Sequence, residues 1–165
     1  MKDQTNVGFV YVVEAFDKHG RSLGRDVVRN KMPKEMLNYM LSTAFKGVPG
    51  HVQWYAGLYS GNYAPSGDET MQRLPAAAVE FTGYDGASRP QVMFGDAANA
   101  RIDNSESLIE LTFTQDVEIF GGFLATSAAK GATTGLCGSV VRFPAPKRPG
   151  IGGVMRVAVS QELVS

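Results

Sequence analysis

Short runs of apolar and β-branched residues occur along most of the chain, and turn-forming residues separate them. The first run, residues 7–16, ends at Asp17-Lys18-His19-Gly20, and a second run returns through residues 21–29. Two such runs around a short polar turn predict a β-hairpin at the start of the chain.

From Val52 onward the runs remain short and none has helical spacing. They predict strands at residues 52–59, 78–82, 91–94, 100–102, 107–114, 117–126, 136–143 and 154–160. The pair Gly121-Gly122 falls inside one of these runs, just before Phe123 and Leu124. Glycines at that place predict a β-bulge or a close approach of two backbones.

One segment has the period of a helix. Pro33 opens it, Gly47 stands where a C-terminal cap belongs, and apolar residues recur between them at Met36, Leu37, Met40, Leu41, Ala44 and Phe45. We therefore predict one short α-helix over residues 33–46.

These elements predict a mainly β protein. Nine or ten short strands, with no helices alternating between them, favour an antiparallel β-sandwich or jelly-roll-like fold with an N-terminal hairpin and one short helix. A chain of 165 residues fits a single domain, residues 1–165. Within it we expect a flexible N-terminal tail over residues 1–6 and a β-rich domain over residues 7–165.

Composition and charge narrow the classes of partner. Sixteen basic residues balance sixteen acidic ones, so the chain lacks the positive charge typical of nucleic-acid-binding proteins. The apolar runs are shorter than a membrane span and the first residues are polar, so we expect neither membrane insertion nor secretion. Cys137 is the single cysteine, which fits synthesis in a reducing cytosol.

The candidate chemical groups do not form a recognisable catalytic or metal-binding pattern. His19 and His51 lie in turn-like segments without paired ligand spacing, and Cys137 falls inside a predicted core strand. The acids Asp96, Asp103 and Glu106 are close in sequence but lack the spacing of a calcium loop. We therefore expect a protein that is not an enzyme and that carries no cofactor and no metal.

Partner contacts are expected from the two long loops, residues 60–75 and 144–153, and from the tail. Trp54, Tyr59 and Tyr63, together with Tyr55, could form a platform for a sugar or a protein, or the rim of a core strand. Lys147 and Arg148 suit a solvated loop tip or a contact with an acidic partner. The full set of candidate interface residues is Met1, Lys2, Asp3, Gln4, Thr5, Asn6, Trp54, Tyr59, Tyr63, Lys147 and Arg148.

Several short motifs, taken in order, resemble a family of virion structural proteins of tailed bacteriophages. They are Glu14-Ala15-Phe16-Asp17-Lys18-His19-Gly20, Thr43-Ala44-Phe45-Lys46-Gly47, Trp54-Tyr55-Ala56-Gly57-Leu58, Glu80-Phe81-Thr82-Gly83-Tyr84 with Arg89-Pro90, Asp103-Asn104-Ser105, Gly122-Phe123-Leu124, and Lys130-Gly131-Ala132-Thr133-Thr134-Gly135. The resemblance extends over most of the chain, from about Val10 to Val159.

The resemblance implies a capsid decoration, or cement, protein that binds the outside of the head shell. The implied partners are the major capsid protein and further copies of this chain, as a dimer or trimer. The implied location is the capsid surface of the virion, after synthesis in the host bacterial cytoplasm. Two alternatives remain open: a tail or baseplate component, and a carbohydrate-binding module that uses Trp54, Tyr55 and Tyr59.

Overall fold

A computed structural model describes residues 7–163 of the chain. Its strands are β1 (Phe9–Phe16), β2 (Ser22–Arg29), β3 (Trp54–Tyr59), β4 (Glu80–Phe81), β5 (Gln91–Val92), β6 (Arg101–Asp103), β7 (Ile109–Thr112), β8 (Ile119–Ala125), β9 (Cys137–Lys147) and β10 (Val154–Glu162). Its helices are α1 (Lys34–Lys46) and α2 (Leu74–Ala77). The predicted tail, Met1 to Asn6, lies outside the described residues.

The strands form two antiparallel sheets of five strands each. Sheet A has the order β2-β1-β10-β6, and β7 also pairs with β10. Sheet B has the order β4-β3-β8-β9, and β5 also pairs with β3. The predicted antiparallel sandwich and its N-terminal hairpin are therefore confirmed.

The main core lies between the two sheets. On β1, Phe9, Tyr11, Val13 and Ala15 alternate with partly exposed residues and point inward, as the two-residue period of a strand requires. They share one cluster with sheet B side chains such as Leu124 and Phe143. A smaller cluster, Tyr59, Met71, Leu74, Ala78, Phe123, Ala125, Cys137 and Val140, includes residues from the connection between β3 and β4.

Helix α1 matches the prediction to within one residue. Pro33 occupies the N-cap position, and Gly47 ends the helix with a left-handed φ of 68°. The amides of Gly47 and Val48 both donate to the Ser42 carbonyl, which satisfies one of the exposed carbonyls of the last turn. In the described part of the chain, neither helix is long and apolar enough to cross a membrane.

Helix α2 was not predicted. It has only four residues, Leu74–Ala77, and no periodicity is recognisable over so short a length. Its Pro75 lies in the first turn, where a missing amide proton costs nothing, and its Leu74 is buried. The connection between β3 and β4 is thereby packed against the second cluster.

The prediction that residues 144–153 form one long loop is wrong at its start. Strand β9 continues through Pro144 and Pro146 to Lys147, and only residues 148–153 connect it to β10. A register shift between Ile119 and Gly121 of β8 leaves residues 143–146 without a paired residue on that strand. The prolines fit there because they lack an amide proton, and none is required outside the ladder.

The predicted close approach at Gly121 is confirmed. A Cβ added to Gly121 would lie 2.1 Å from the Val141 carbonyl oxygen and 2.2 Å from the Tyr59 hydroxyl oxygen. A register shift between β8 and β9 lies beside it. Gly121 therefore lets β3, β8 and β9 approach one another over the second cluster.

Candidate partner-binding surface

Of the two alternatives for the aromatic residues near β3, the structure favours the core strand over a platform. Trp54 and Tyr59 are five residues apart on β3, so they project from opposite faces of sheet B. Trp54 packs beside the main core, whereas Tyr59 is fully buried in the second cluster and donates a hydrogen bond of 2.9 Å to the Val141 carbonyl. Tyr59 is thus a core residue, and its odd spacing from Trp54 was the signal that could have shown this.

Tyr63 belongs to the connection between β3 and β4, and Glu69 organises this segment. Tyr63 donates through its hydroxyl to Glu69, and the amides of Ser66 and Gly67 donate to the same carboxylate. Burial alone would raise the pKa of Glu69, but the backbone hydrogen bonds hold it below its usual value. The predicted contact loop is therefore a hydrogen-bonded, packed segment.

Lys147 and Arg148 differ although they are adjacent. Lys147 was expected at a solvated loop tip, but it is buried at the end of β9 and its Nζ lies 2.8 Å from an Asp26 carboxylate oxygen. Arg148 is exposed as expected, and its guanidinium makes two hydrogen bonds, of 2.8 and 2.9 Å, with Asp116. The difference follows from their positions: Lys147 is the last residue of β9 and pairs with Ile119 of β8, whereas Arg148 lies in the connection to β10. Lys147 therefore links the two sheets.

A buried ion pair that sequence reasoning did not assign holds several of the motif residues together. Arg89 is 1% exposed and makes two hydrogen bonds to Glu80. It also donates to the carbonyls of Ser127 and Ala132 in the loop after β8. The amide of Gly131 donates to Glu80, so the loop is attached to both members of the pair.

Lys130 fixes the same loop from its other side. Its Nζ donates to the carbonyls of Thr82 and Tyr84, at 3.1 and 2.7 Å, and lies 3.8 Å from the centre of the Tyr84 ring. Partial burial lowers the pKa of Lys130, although the carboxylates of Asp85 and Glu80 oppose that shift. The polar residues of these motifs therefore stabilise the fold by attaching the loop after β8 to its neighbours. The tip of that loop, at Thr133 and Thr134, is exposed.

Several exposed apolar side chains belong to α1 and to the segments that follow α1 and β5. Phe45 is 82% exposed, Val52 is 92% exposed and Leu41 is 58% exposed. Val48 lies just after α1. Met93 lies just after β5, whose Val92 pairs with Trp54 of β3. We call Leu41, Phe45, Val48, Val52 and Met93 the helix-end surface.

An aromatic group lies between α1, the segment that follows it and β3. The ring of Tyr39 lies 5.2 Å from that of His51 and 6.4 Å from that of Trp54, and the Tyr39 hydroxyl accepts a hydrogen bond from the His51 amide. The segment between α1 and β3 is thereby folded back on the helix. Large apolar side chains this exposed on α1 and on the segment that folds back on it are candidates for a protein contact.

The sequence contained a signal for this surface. At about 100° per residue, Phe45 lies about 180° around α1 from the buried Met36. A helix that covers only a core needs a narrower apolar stripe. The wide apolar arc therefore indicated a second contact face.

An open groove of about 690 Å³ lies beside β6 and is lined by the acids considered for a metal site. The Ser105 hydroxyl and amide and the Arg101 guanidinium all donate hydrogen bonds to the Asp103 carboxylate. These hydrogen bonds lower the pKa of Asp103 to about 2. Within residues 7–163, no cluster of His, Cys, Asp and Glu side chains is suited to holding a metal ion.

The remaining candidate groups have structural surroundings. His19 is exposed in the hairpin turn, where its amide donates to Asp17. Cys137 is fully buried, as predicted, and burial raises the pKa of its thiol to about 12. Its amide donates to Glu35 of α1 at 3.3 Å.

No family model matches the chain. No curated protein matches it either.

Proposed function

We propose that this chain is a non-enzymatic virion structural protein of a tailed bacteriophage, and specifically a capsid decoration protein. It binds the outside of the head shell, where its partner is the major capsid protein, and it stabilises the shell. The resemblance of its motifs to such proteins supports the kind of partner. The observation that carries the proposal is the helix-end surface, because it offers a large partner an apolar contact at one end of a rigid sandwich.

The packing of the scaffold suits this role. A protein that binds in many copies to a symmetric shell benefits from a rigid contact surface, since ordering a mobile surface on binding costs affinity. The aromatic group of Tyr39, His51 and Trp54 holds the segment between α1 and β3 against the helix, and Arg89 and Lys130 fix the loop after β8. Many symmetry-related sites then allow each contact to be modest.

The direct test adds purified protein to expanded heads that lack it. We expect saturable binding at a fixed ratio to the capsid subunit, together with a higher temperature of head disruption. Failure to bind such heads would remove the proposal. Recovery of the protein in purified tails, and not in heads, would instead indicate a tail or baseplate component.

A pair of variants tests the surface itself. Phe45→Gln removes the most exposed aromatic group of the helix-end surface and should weaken shell binding about tenfold or more. Ile151→Gln is the matched control, because Ile151 is 63% exposed in the turn between β9 and β10. If both variants bind the shell as tightly as the wild type, the contact does not use the helix-end surface.

A further inference from the structure

The outer face of sheet A, which points away from the sandwich core, has an alternating row of charges. Arg25 of β2 pairs with Glu14 of β1, Glu14 pairs with Arg156 of β10, and Arg156 pairs with Glu110 of β7. Across four neighbouring strands the row therefore has the signs plus, minus, plus, minus. Two of its contacts are salt bridges: 3.4 Å between Arg25 and Glu14, and 2.6 Å between Arg156 and Glu110.

Apolar rows lie on both sides of the charged row. On one side, Val27, Val12 and Ala158 are paired across β2, β1 and β10. On the other side, Phe16 pairs with Val154, and the Arg156 guanidinium lies 5.0 Å from the centre of the Phe16 ring. Val27 is 57% exposed, and the other residues of these rows are partly exposed. An outer face with this much apolar surface is unusual for a sandwich whose strands alternate between core and solvent.

We propose that this face binds a second copy of the chain, face to face, about a two-fold axis that runs along the strands between β1 and β10. Such an axis reverses the order of the strands in the second copy. The row of charges plus, minus, plus, minus on one copy therefore faces a row of charges minus, plus, minus, plus on the other. Arg25 then faces Glu110 of the second copy, and Glu14 faces its Arg156. The apolar rows pack against each other on either side.

The charges also select this axis over its alternative. A two-fold axis perpendicular to the strands would place Arg25 opposite Arg25 and Glu14 opposite Glu14, which is repulsive. An interface related by a two-fold axis must be complementary to itself, and only the axis along the strands makes this row so. Sheets packed in this aligned way are usually rotated by about 30°, which the twist of each sheet allows.

The size of the face indicates a reversible dimer. Three strands of about eight residues and one of four, spaced about 4.8 Å apart, give roughly 440 Å² of flat surface per copy, less than the roughly 800 Å² per partner of a standard stable interface. We therefore expect a dimer that forms with rising protein concentration and weakens with salt, because its ion pairs become screened. The inference assigns a surface to the self-association that the motif resemblance implies, and its test can fail without affecting the proposed binding to the capsid.

The test uses sedimentation of the full-length protein and two charge-reversal variants. Arg25→Glu and Glu110→Arg each place like charges opposite one another twice in a homodimer, and each should weaken dimerisation at least about tenfold. Mixing the two variants restores both cross-copy contacts, so a heterodimer of wild-type strength should form. Arg148→Glu is the control, since its ion pair with Asp116 lies away from this face and its loss should leave dimerisation unchanged.

Several results would overturn the inference. They are a wild-type chain that stays monomeric up to about 300 µM, a dimer whose strength does not change between about 50 and 500 mM salt, and reversal variants that dimerise like the wild type. Variants that remain monomeric when mixed would also contradict the proposed axis. Circular dichroism establishes that each variant is folded, and the salt dependence of the wild type tests the inference without any variant.

Discussion

Arg89 and Glu80 form a buried, bidentate ion pair. The Arg89 Nε lies 2.8 Å from Oε1 of Glu80, and the Arg89 Nη2 lies 2.7 Å from Oε2. Their side chains are 0% and 3% exposed. The remaining hydrogen bonds of Arg89, to Ser127 and Ala132, extend the pair into the loop after β8. The pair therefore joins residues 80–89 to the loop after β8, about 40 positions further along the chain.

Arg89→Ala should lower the free energy of unfolding by about 3–5 kcal/mol, because it leaves the Glu80 carboxylate buried without its partner. Urea denaturation of the folded variant measures this change. The matched control is Arg148→Ala, which removes an exposed two-pronged pair with Asp116 and should change stability little. Equal effects of the two substitutions would show that burial of the Arg89 pair does not matter.

Gly121→Ala should destabilise the protein by about 1–3 kcal/mol, because the added methyl group would overlap the Val141 carbonyl and the Tyr59 hydroxyl. Thermal unfolding followed by circular dichroism measures the loss. Gly95→Ala is the control: the nearest atom to its added Cβ is 3.7 Å away, and we expect a change within about 0.5 kcal/mol. A Gly121→Ala variant as stable as the wild type would contradict the close approach.

Periodicity was enough to predict most of the fold. The β1–β2 hairpin and helix α1 follow from local patterns, since each has a clear turn or cap, such as Gly47. Strand β9 was predicted too short because proline is normally a reason to end a strand. The register shift that accommodates Pro144 and Pro146 depends on a partner strand that the local sequence does not specify.

The side-chain contacts of the candidate site were less predictable than the fold, because they too depend on partner strands. Nothing near Arg89 in the sequence names Glu80 or Ser127 as its partner, because those contacts depend on how the strands are arranged. Lys147 looked exposed because its neighbours are prolines and arginine, yet it faces Asp26 of the other sheet. By contrast, the opposite directions of Trp54 and Tyr59, and the wide apolar arc of α1, could be read from residue spacing alone.

Glu69 should make stability depend on pH in the acid range. Its pKa in the folded state lies below the 4.5 of an ordinary glutamate, so its contribution is fully present above about pH 4.5 and is lost as the pH falls through the lowered value. Glu69→Gln should therefore be less stable than the wild type near neutral pH. Its free energy of unfolding should also fall less steeply as the pH decreases below 4.5.

Denaturation by urea at a series of pH values between about 3 and 7 tests this expectation. Glu106→Gln is the control, since Glu106 is exposed on the groove beside β6. This variant removes one exposed carboxylate and leaves the hydrogen bonds of Glu69 in place. If Glu69→Gln and the wild type lose stability in parallel below pH 4.5, the carboxylate is not held ionised by the hydrogen bonds of its loop.

Cys137 should be unreactive towards a thiol reagent while the protein is folded. Its side chain is fully buried in the second cluster, and burial raises its pKa to about 12, so near pH 8 only a very small fraction is the reactive thiolate. Reaction with an aromatic disulfide reagent should therefore proceed only as fast as the protein opens or unfolds, and denaturant should accelerate it. The unfolded chain provides the control and should release one equivalent, since Cys137 is the single cysteine. Immediate release of one equivalent from the folded protein would show that β9 does not bury this residue.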